Sequence, residues 1–403
     1  MIETMGKLSE RVNKLAESQT IKMSRISREM RAAGHDVINL SLGEPDFVTP
    51  EYIREGAKKA IDDGFTFYTP IAGYADLREA ISKKFKQDNN LDFLPNQVVV
   101  STGAKQSIAN VVLSLVDPGD EVIIPIPYWV SYIEIVKLAE GKMVFIPSTV
   151  ESNFKITPQQ LEDVITENTK LFIFSSPCNP TGSVYNREEL KALAEVFARN
   201  PHVYIISDEI YEYINFTDRH ESIAQFEEIR ERVIIVNGFS KGFAMTGWRV
   251  GYIAAPKWIA DACDKIQGQF TSGTSSISQK AALAALSGGE KVIAELRETF
   301  RKRRDLVLKQ LKKIEGLKCN SPEGAFYVFP DVTAYFGKET PDNKKIKTAE
   351  DLATYLLTCA GVSTVMGEAF GDPGCIRISY AASEETLSEA ISRIKTALSK
   401  LSW

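Results

Sequence analysis

The chain has few of the residues that hold metals or build disulfide frameworks. It carries three histidines (His35, His202, His220) in 403 residues. None stands at ligand spacing from another histidine or from a cysteine, so the sequence offers no zinc or iron site. The five cysteines (Cys178, Cys263, Cys319, Cys359, Cys375) are odd in number, far apart and free of any CxxC pair, the pattern of a reducing compartment. Long apolar runs are missing as well: nothing approaches the ~20 residues of a membrane span, and residues 1–18 lack the apolar centre of a secretory leader. Basic residues do not dominate, with 48 Lys and Arg against 53 Asp and Glu and a net charge of −5. They are spread along the chain rather than gathered into a nucleic-acid footprint. The expectation is a cytoplasmic protein with no metal, no membrane and no nucleic-acid partner.

What is present is an alternation of short apolar strands with amphipathic helices. "NQVVVSTGAKQSIANVVLSLVDPGD" reads as strand, turn and helix, closed by Asp-Pro-Gly-Asp. Further strands are expected at 121–125, 142–147, 170–177, 203–209, 232–238 and 250–256. They are continuous Val/Ile/Phe runs, as burial on both faces of a parallel sheet requires. The fold class is therefore α/β, a large domain with a mostly parallel sheet flanked by helices. From about residue 290 a long charged helix reads as a connector to a smaller α/β domain. The expected division is 1–45, a segment packing with the small domain, then 46–295 and 296–403. The basic run "RKRRD" at 301–305 reads as a solvated helix face, and the polar loop "GKETPDNKKIK" at 337–347 as a mobile insertion.

Five short stretches carry chemistry. "GFSKGFAMTGWRVGY" sets Lys241 among small and apolar residues, where desolvation disfavours the charged amine and prepares it as nucleophile or base. "STGAKQS" places Gly103, Ala104 and Lys105 at a strand-to-helix turn suited to a phosphate, without the GxxxxGK[ST] spacing of a nucleotide P-loop. "PYWVSY" offers Trp129 as a flat face, "SSPCNPTG" sets Asn179 in a turn, and "SDEIYEYI" delivers Asp208 to a strand end with Tyr211 three residues on. The first four have an ordinary alternative: a surface lysine, a tight turn, a core tryptophan, a backbone-capping asparagine. Together they supply an amine for an imine, a carboxylate for a ring nitrogen, donors for a phenolic oxygen and a stacking face. That set suits pyridoxal 5′-phosphate.

With these residues in place, the sequence resembles the fold-type I, class I aminotransferases, most nearly the bacterial aspartate aminotransferase branch. The likeness runs from "SLGEPDF" to "CIRISYA". It implies that Lys241 binds the cofactor covalently and that Asp208 pairs with the ring nitrogen. Asn179 and Tyr211 are implied at the ring hydroxyl, Trp129 on the ring face, and Gly103, Ala104, Ser240 and Arg249 at the phosphate. Gly43 and Arg377 match positions that hold the substrate α-carboxylate, and Lys105 a lysine implicated at the distal carboxylate. Tyr68 matches a tyrosine that reaches the phosphate from a partner subunit, which implies a homodimer with shared active sites.

Two positions depart from the pattern. Gly238 stands where many relatives have a phosphate-binding serine, leaving Ser240, Thr271 or Ser272 to compensate, and Cys178 precedes Asn179 where asparagine is common. The implied activity is amino-group exchange between aspartate, or another amino acid, and 2-oxoglutarate. An aminotransferase for aromatic or aliphatic amino acids or for prephenate, or a C–S lyase, would share the cofactor residues. A transcription-factor binding module would need a DNA-binding domain that the first 40 residues do not encode.

Overall fold

The computed structural model describes residues 8–403. A seven-stranded sheet organises the larger part of it: β1 (Val98–Ser101), β2 (Glu121–Ile126), β3 (Lys142–Pro147), β4 (Thr169–Ser175), β5 (Tyr204–Asp208), β6 (Val233–Gly238) and β7 (Gly251–Ala254). Their spatial order is β1-β7-β6-β5-β4-β2-β3. All pairings are parallel except the two made by β7, which runs against β1 and β6.

The continuous apolar runs follow from burial on both faces. Phe172, Phe174, Ile205 and Ile235 pack into one core beneath helices, while Leu171, Ile173, Ile206 and Ile234 fill the other. Alternate residues of each strand point to opposite faces. Each such side chain contributes about 1.5–3 kcal/mol when fully buried, so the sheet is a rigid platform. Periodicity does not reveal strand direction, and β7 is as uniformly buried as β1 and β6, against which it runs.

A third core joins Met23, Val37 and Leu40 to Phe300, Phe326, Ile378 and Leu387. Here Ile38–Asn39 pairs in parallel with Val362–Ser363, and Ile376–Ser379 lies antiparallel between Tyr327–Val328 and Val365–Met366. The connector helix, Glu290–Leu311, buries Leu296, Phe300, Arg303, Val307 and Leu311 along one stripe.

Two expectations are corrected. The run "RKRRD" is not wholly solvated, because Arg303 falls on the buried stripe and makes a bidentate pair with Asp46 at 2.6 and 2.9 Å. The polar loop is tied down: Thr340 accepts from the Lys344 N–H through Oγ1, and the Glu339 backbone exchanges hydrogen bonds with Ser402. Its composition registers exposure and misses those backbone links.

Candidate active site

The chemistry-bearing stretches all leave the same edge of the sheet. Because β1, β2, β4, β5 and β6 run in one direction, the turns after them gather at one end. These turns hold Gly103 to Lys105, Trp129, Asn179, Asp208 to Tyr211, and Ser240 to Lys241. Antiparallel β7 begins at that end, which brings in Arg249 just before it. Ligand sites of open α/β sheets lie at this carboxyl edge. A cavity of about 340 Å³ opens there, and Gly43, Ala104, Lys105, Trp129, Asn179, Asp208, Tyr211, Ser240, Lys241, Arg249 and Arg377 line it.

Lys241 is half-buried and its Nζ donates to the Gly43 carbonyl at 2.5 Å. Burial brings its pKa down to about 8, with Glu44 opposing and Arg377 and Arg249 assisting, so a useful fraction of neutral amine exists near neutral pH. Asp208 is 5% exposed. Burial pushes its carboxyl up to about 6, against hydrogen bonds from the Tyr132 hydroxyl and the Ile210 N–H. A buried carboxylate so placed favours a cationic or N–H partner in the cavity.

Arg377 is 2% exposed. Its Nη1 donates to Asn179 Oδ1 at 2.9 Å and its Nη2 to the Ser41 carbonyl at 2.7 Å, while Nε has no partner. The guanidinium lies 4.5 Å from the Tyr327 ring centroid. The Tyr211 and Tyr327 hydroxyls are hydrogen-bonded at 2.9 Å. Burial raises the Tyr211 pKa well above the ordinary value, and Tyr327 adds to the rise, so it stands as a protonated donor.

At the other end of the cavity the first N–H groups of the helix Ala104–Leu115 have no partner within the helix. Gly103 (φ +85°) has no room for a side chain, since a Cβ there would meet Arg249 Nη2 at 2.3 Å. A Cβ on Gly251 would meet the Ala104 nitrogen at the same distance. These glycines let backbone N–H groups and a guanidinium crowd one small volume. Lys105 lies beside it with Nζ 5.1 Å from the Trp129 ring centroid. Although the residue reaches solvent, partial desolvation and the Arg249 charge both lower its pKa.

Some expected residues are placed elsewhere. Tyr68 is 97% exposed and does not line the cavity of its own chain. Gly103 backs the site without facing the cavity. Gly238 packs against Gly251 on the neighbouring strand, where an added Cβ would meet the Gly251 Cα at 2.8 Å. Of the three candidates to compensate for it, Ser240 lines the cavity, whereas Thr271 and Ser272 do not; Thr271 Oγ1 accepts from Gln106 Nε2 instead. Sequence reasoning missed Tyr132, whose hydroxyl donates to Asp208 Oδ2 at 2.7 Å, and Tyr327, together with Ser18, Thr20 and Ile21 at the cavity mouth. Tyr132 sits three residues after Trp129, one turn along the chain, and that spacing was the available signal.

The family model for aminotransferases of class I and II matches residues 35–394. The chain belongs to that family. Class I aminotransferases of fold type I are pyridoxal-phosphate-dependent enzymes, and this chain is an aminotransferase. It is 50% identical over 402 residues to the bifunctional aspartate aminotransferase and glutamate/aspartate-prephenate aminotransferase of Petunia hybrida, covering 98% of this chain and 84% of that one. It is 48% identical to the aspartate/prephenate aminotransferase of Cereibacter sphaeroides, over 99% of this chain and all of the relative. The crystal structure of aspartate aminotransferase from Rhizobium meliloti superimposes with a TM-score of 0.95 at 43% identity, covering 98% and 100% of the two chains. The Thermus thermophilus aspartate aminotransferase solved with maleate gives 0.91 at 40% identity, with the same coverage.

Proposed function

We propose that this aminotransferase moves the amino group between L-aspartate and 2-oxoglutarate in a two-step, ping-pong exchange, with pyridoxal 5′-phosphate held in the cavity described above. The observation that carries the reading is the convergence of Lys241, Asp208 and Arg377 on one cavity whose other end is an anion cradle backed by Gly103 and Gly251. The donor set fits the cofactor. The cradle of Ala104 and Lys105 N–H groups, Ser240 and Arg249 suits its phosphate, and Tyr211 and Asn179 suit its ring oxygen. Asp208 suits a protonated ring nitrogen, and Trp129 a ring face. When bound, that group supplies an electron sink for the pair released at the substrate Cα.

The chain's own residues perform the rest. Lys241, whose burial favours a neutral amine, would hold the cofactor and would move the proton at the substrate Cα. Asp208, its Oδ2 held by the Tyr132 hydroxyl, would offer its charge to the ring nitrogen. Arg377 binds the α-carboxylate through a planar fork, and Lys105 receives the distal carboxylate. Prephenate is the second reading for the acceptor. Relatives are named for it, and like aspartate it presents two carboxylates to the same pair of cations. The maleate held by the Thermus protein is a four-carbon dicarboxylate of the same kind.

We further propose a homodimer in which Tyr68 completes the partner's phosphate cradle; its exposure supports this. The division at residues 46 and 296 is supported by the core that joins the N-terminal segment to the last hundred residues, to which Val130, Phe154, Tyr211 and Ile214 of the larger part also contribute. A panel of amino donors, each mixed once with loaded enzyme and followed by the cofactor absorbance, tests the substrate. Aspartate and glutamate are expected to lead it. Fastest conversion by phenylalanine or leucine would replace the dicarboxylic reading.

A further inference from the structure

Next to Asp208 in the chain, and outside the lining of the cavity, lies a second set of buried ionisable groups that the reaction above does not use. Glu209 follows Asp208 at the end of β5 and is 1% exposed. Its Oε1 accepts hydrogen bonds from Ser207 at 2.8 Å and Ser222 at 2.6 Å, and its Oε2 lies 2.9 Å from His220 Nε2. The His220 side chain is 7% exposed, and its Nδ1 is buried without a partner. Glu212 closes the group, with one ligand atom from each of Glu209, Glu212 and His220 lying within 4.8 Å of the others.

A metal ion is the obvious occupant for two carboxylates and an imidazole, but a cation is already there. Lys84, from the helix Ala75–Asn89, is ion-paired with Glu212 and 5% exposed. Its Nζ also donates to Asn89 Oδ1 at 2.8 Å and lies 4.8 Å from the Phe85 ring centroid. Two buried carboxylates against one ammonium leave one negative charge, which a protonated His220 balances. Of the other charged groups nearby, Arg219 and Glu221, which flank His220 in the chain, pair with each other, and Asp88 accepts from the Tyr213 hydroxyl.

We propose that His220 is a positioning residue for the reaction, an imidazolium that offsets the charge of Glu209 and so prevents an uncompensated carboxylate beside Asp208. The proposal rests on Asp208 acting toward the cofactor ring as described above. Burial alone would lower the His220 pKa, yet the Glu209 charge and hydrogen bond, helped by Glu212, hold it above the ordinary value. Its stabilising effect is therefore complete below the ordinary histidine range and is lost as pH rises through the folded value. Glu209 is among the causes that push the Asp208 carboxyl upward. Removing the imidazolium deepens the negative potential and strengthens proton binding at every group it reaches.

The test separates charge from scaffolding. His220→Gln keeps an N–H donor for Glu209 and removes the charge; Glu209→Gln in that background removes the carboxylate that needed offsetting. In the full-length, cofactor-free protein, the imidazole NMR signal missing from His220→Gln identifies His220 among three histidines. It is expected to titrate above the usual value of about 6.5. In the loaded enzyme, His220→Gln is expected to move the pH midpoint of the cofactor absorbance change upward by roughly half a unit or more. The double variant is expected to return it toward wild type. A His220 signal that titrates below the usual value overturns the proposal, as does an unmoved midpoint in His220→Gln. Asp208→Ala probes the underlying reading independently: loss of the ring-nitrogen role would show there while the His220 titration stayed as found.

Discussion

The floor and the rim of the cavity are built in opposite ways. On the floor Asp208, Tyr211, Asn179 and Arg377 are 2–6% exposed, and each is held by another side chain of the same protein. On the rim Lys105 and Arg249 are exposed, and the one side-chain bond of Arg249 here is Nη1 to the Thr246 carbonyl at 2.8 Å. The floor is therefore set by folding, before any ligand arrives, which is the arrangement that preorganised catalysis requires. The rim keeps its charges free, and free charges select ligands. Floor variants should thus damage the reaction for every substrate, as should loss of Arg249, which the phosphate cradle also uses, whereas loss of the Lys105 side chain should damage it only for some.

The hardest test of that contrast is Lys241→Ala, which is expected to lower turnover by on the order of 10⁴-fold or more with all donors, since both covalent and proton-transfer roles are lost. Retention of a tenth of wild-type kcat would remove Lys241 from the chemistry. The same variant should be more stable. With the Lys241 pKa at about 8 in the fold, the unfolded chain binds the extra proton between about pH 8 and 10.5, so the penalty is complete below pH 8 and relieved as pH rises. Without cofactor at pH 7, Lys241→Ala is expected to gain about 1–3 kcal/mol, and to gain little at pH 10.5. Chemical denaturation at the two pH values checks this.

Asp208→Ala comes next. A charge-assisted hydrogen bond of about 1.5–3 kcal/mol is lost, together with the charge that favours a protonated ring, so kcat should fall more than about a hundredfold with aspartate and phenylalanine alike. Near-normal rates would place the ring elsewhere on the floor. Lys105→Ser probes the rim. It is expected to reduce kcat/KM for aspartate by roughly ten- to a hundredfold and to leave alanine or phenylalanine little changed. An equal loss for all donors would move Lys105 from the rim to the cofactor cradle.

The sequence makes the floor more legible than its supports. Lys241, Asp208, Asn179 and Arg377 stand in stretches whose local composition marks a strand end or an embedded charge, and a resemblance ordered them before any coordinates. Burial on both faces likewise marks β4 to β6. Strand direction in β7, the inward turn of Arg303 and the ties of the 337–347 loop depend on partners hundreds of residues away or on backbone bonds, which composition does not encode. His220 and Lys84 belong with these. Each reads alone as an ordinary polar residue, and only the fold brings them to Glu209 and Glu212.

Tyr132 gives the finest test, because it supports the floor through Asp208. Its hydroxyl bonds Asp208 Oδ2 at 2.7 Å, and its ring stands edge-on to Trp129 with centroids 5.5 Å apart. Tyr132→Phe keeps the ring packing and deletes one donor to the carboxylate. Burial already holds Asp208 at about 6, with the Tyr132 bond as the largest opposing influence, so the variant should push it higher. A raised carboxyl costs stability only where it must ionise, from about pH 4 upward through the folded value. In the cofactor-free protein Tyr132→Phe should therefore cost about 1–3 kcal/mol at pH 8 and about 1 kcal/mol or less at pH 4, where Asp208 is protonated in both proteins. Turnover should fall by roughly three- to tenfold with every donor, the smallest of these effects and still a floor effect in its indifference to substrate. A stability loss equal at both pH values would make Tyr132 a packing residue. A loss of turnover confined to aspartate would move it to the rim.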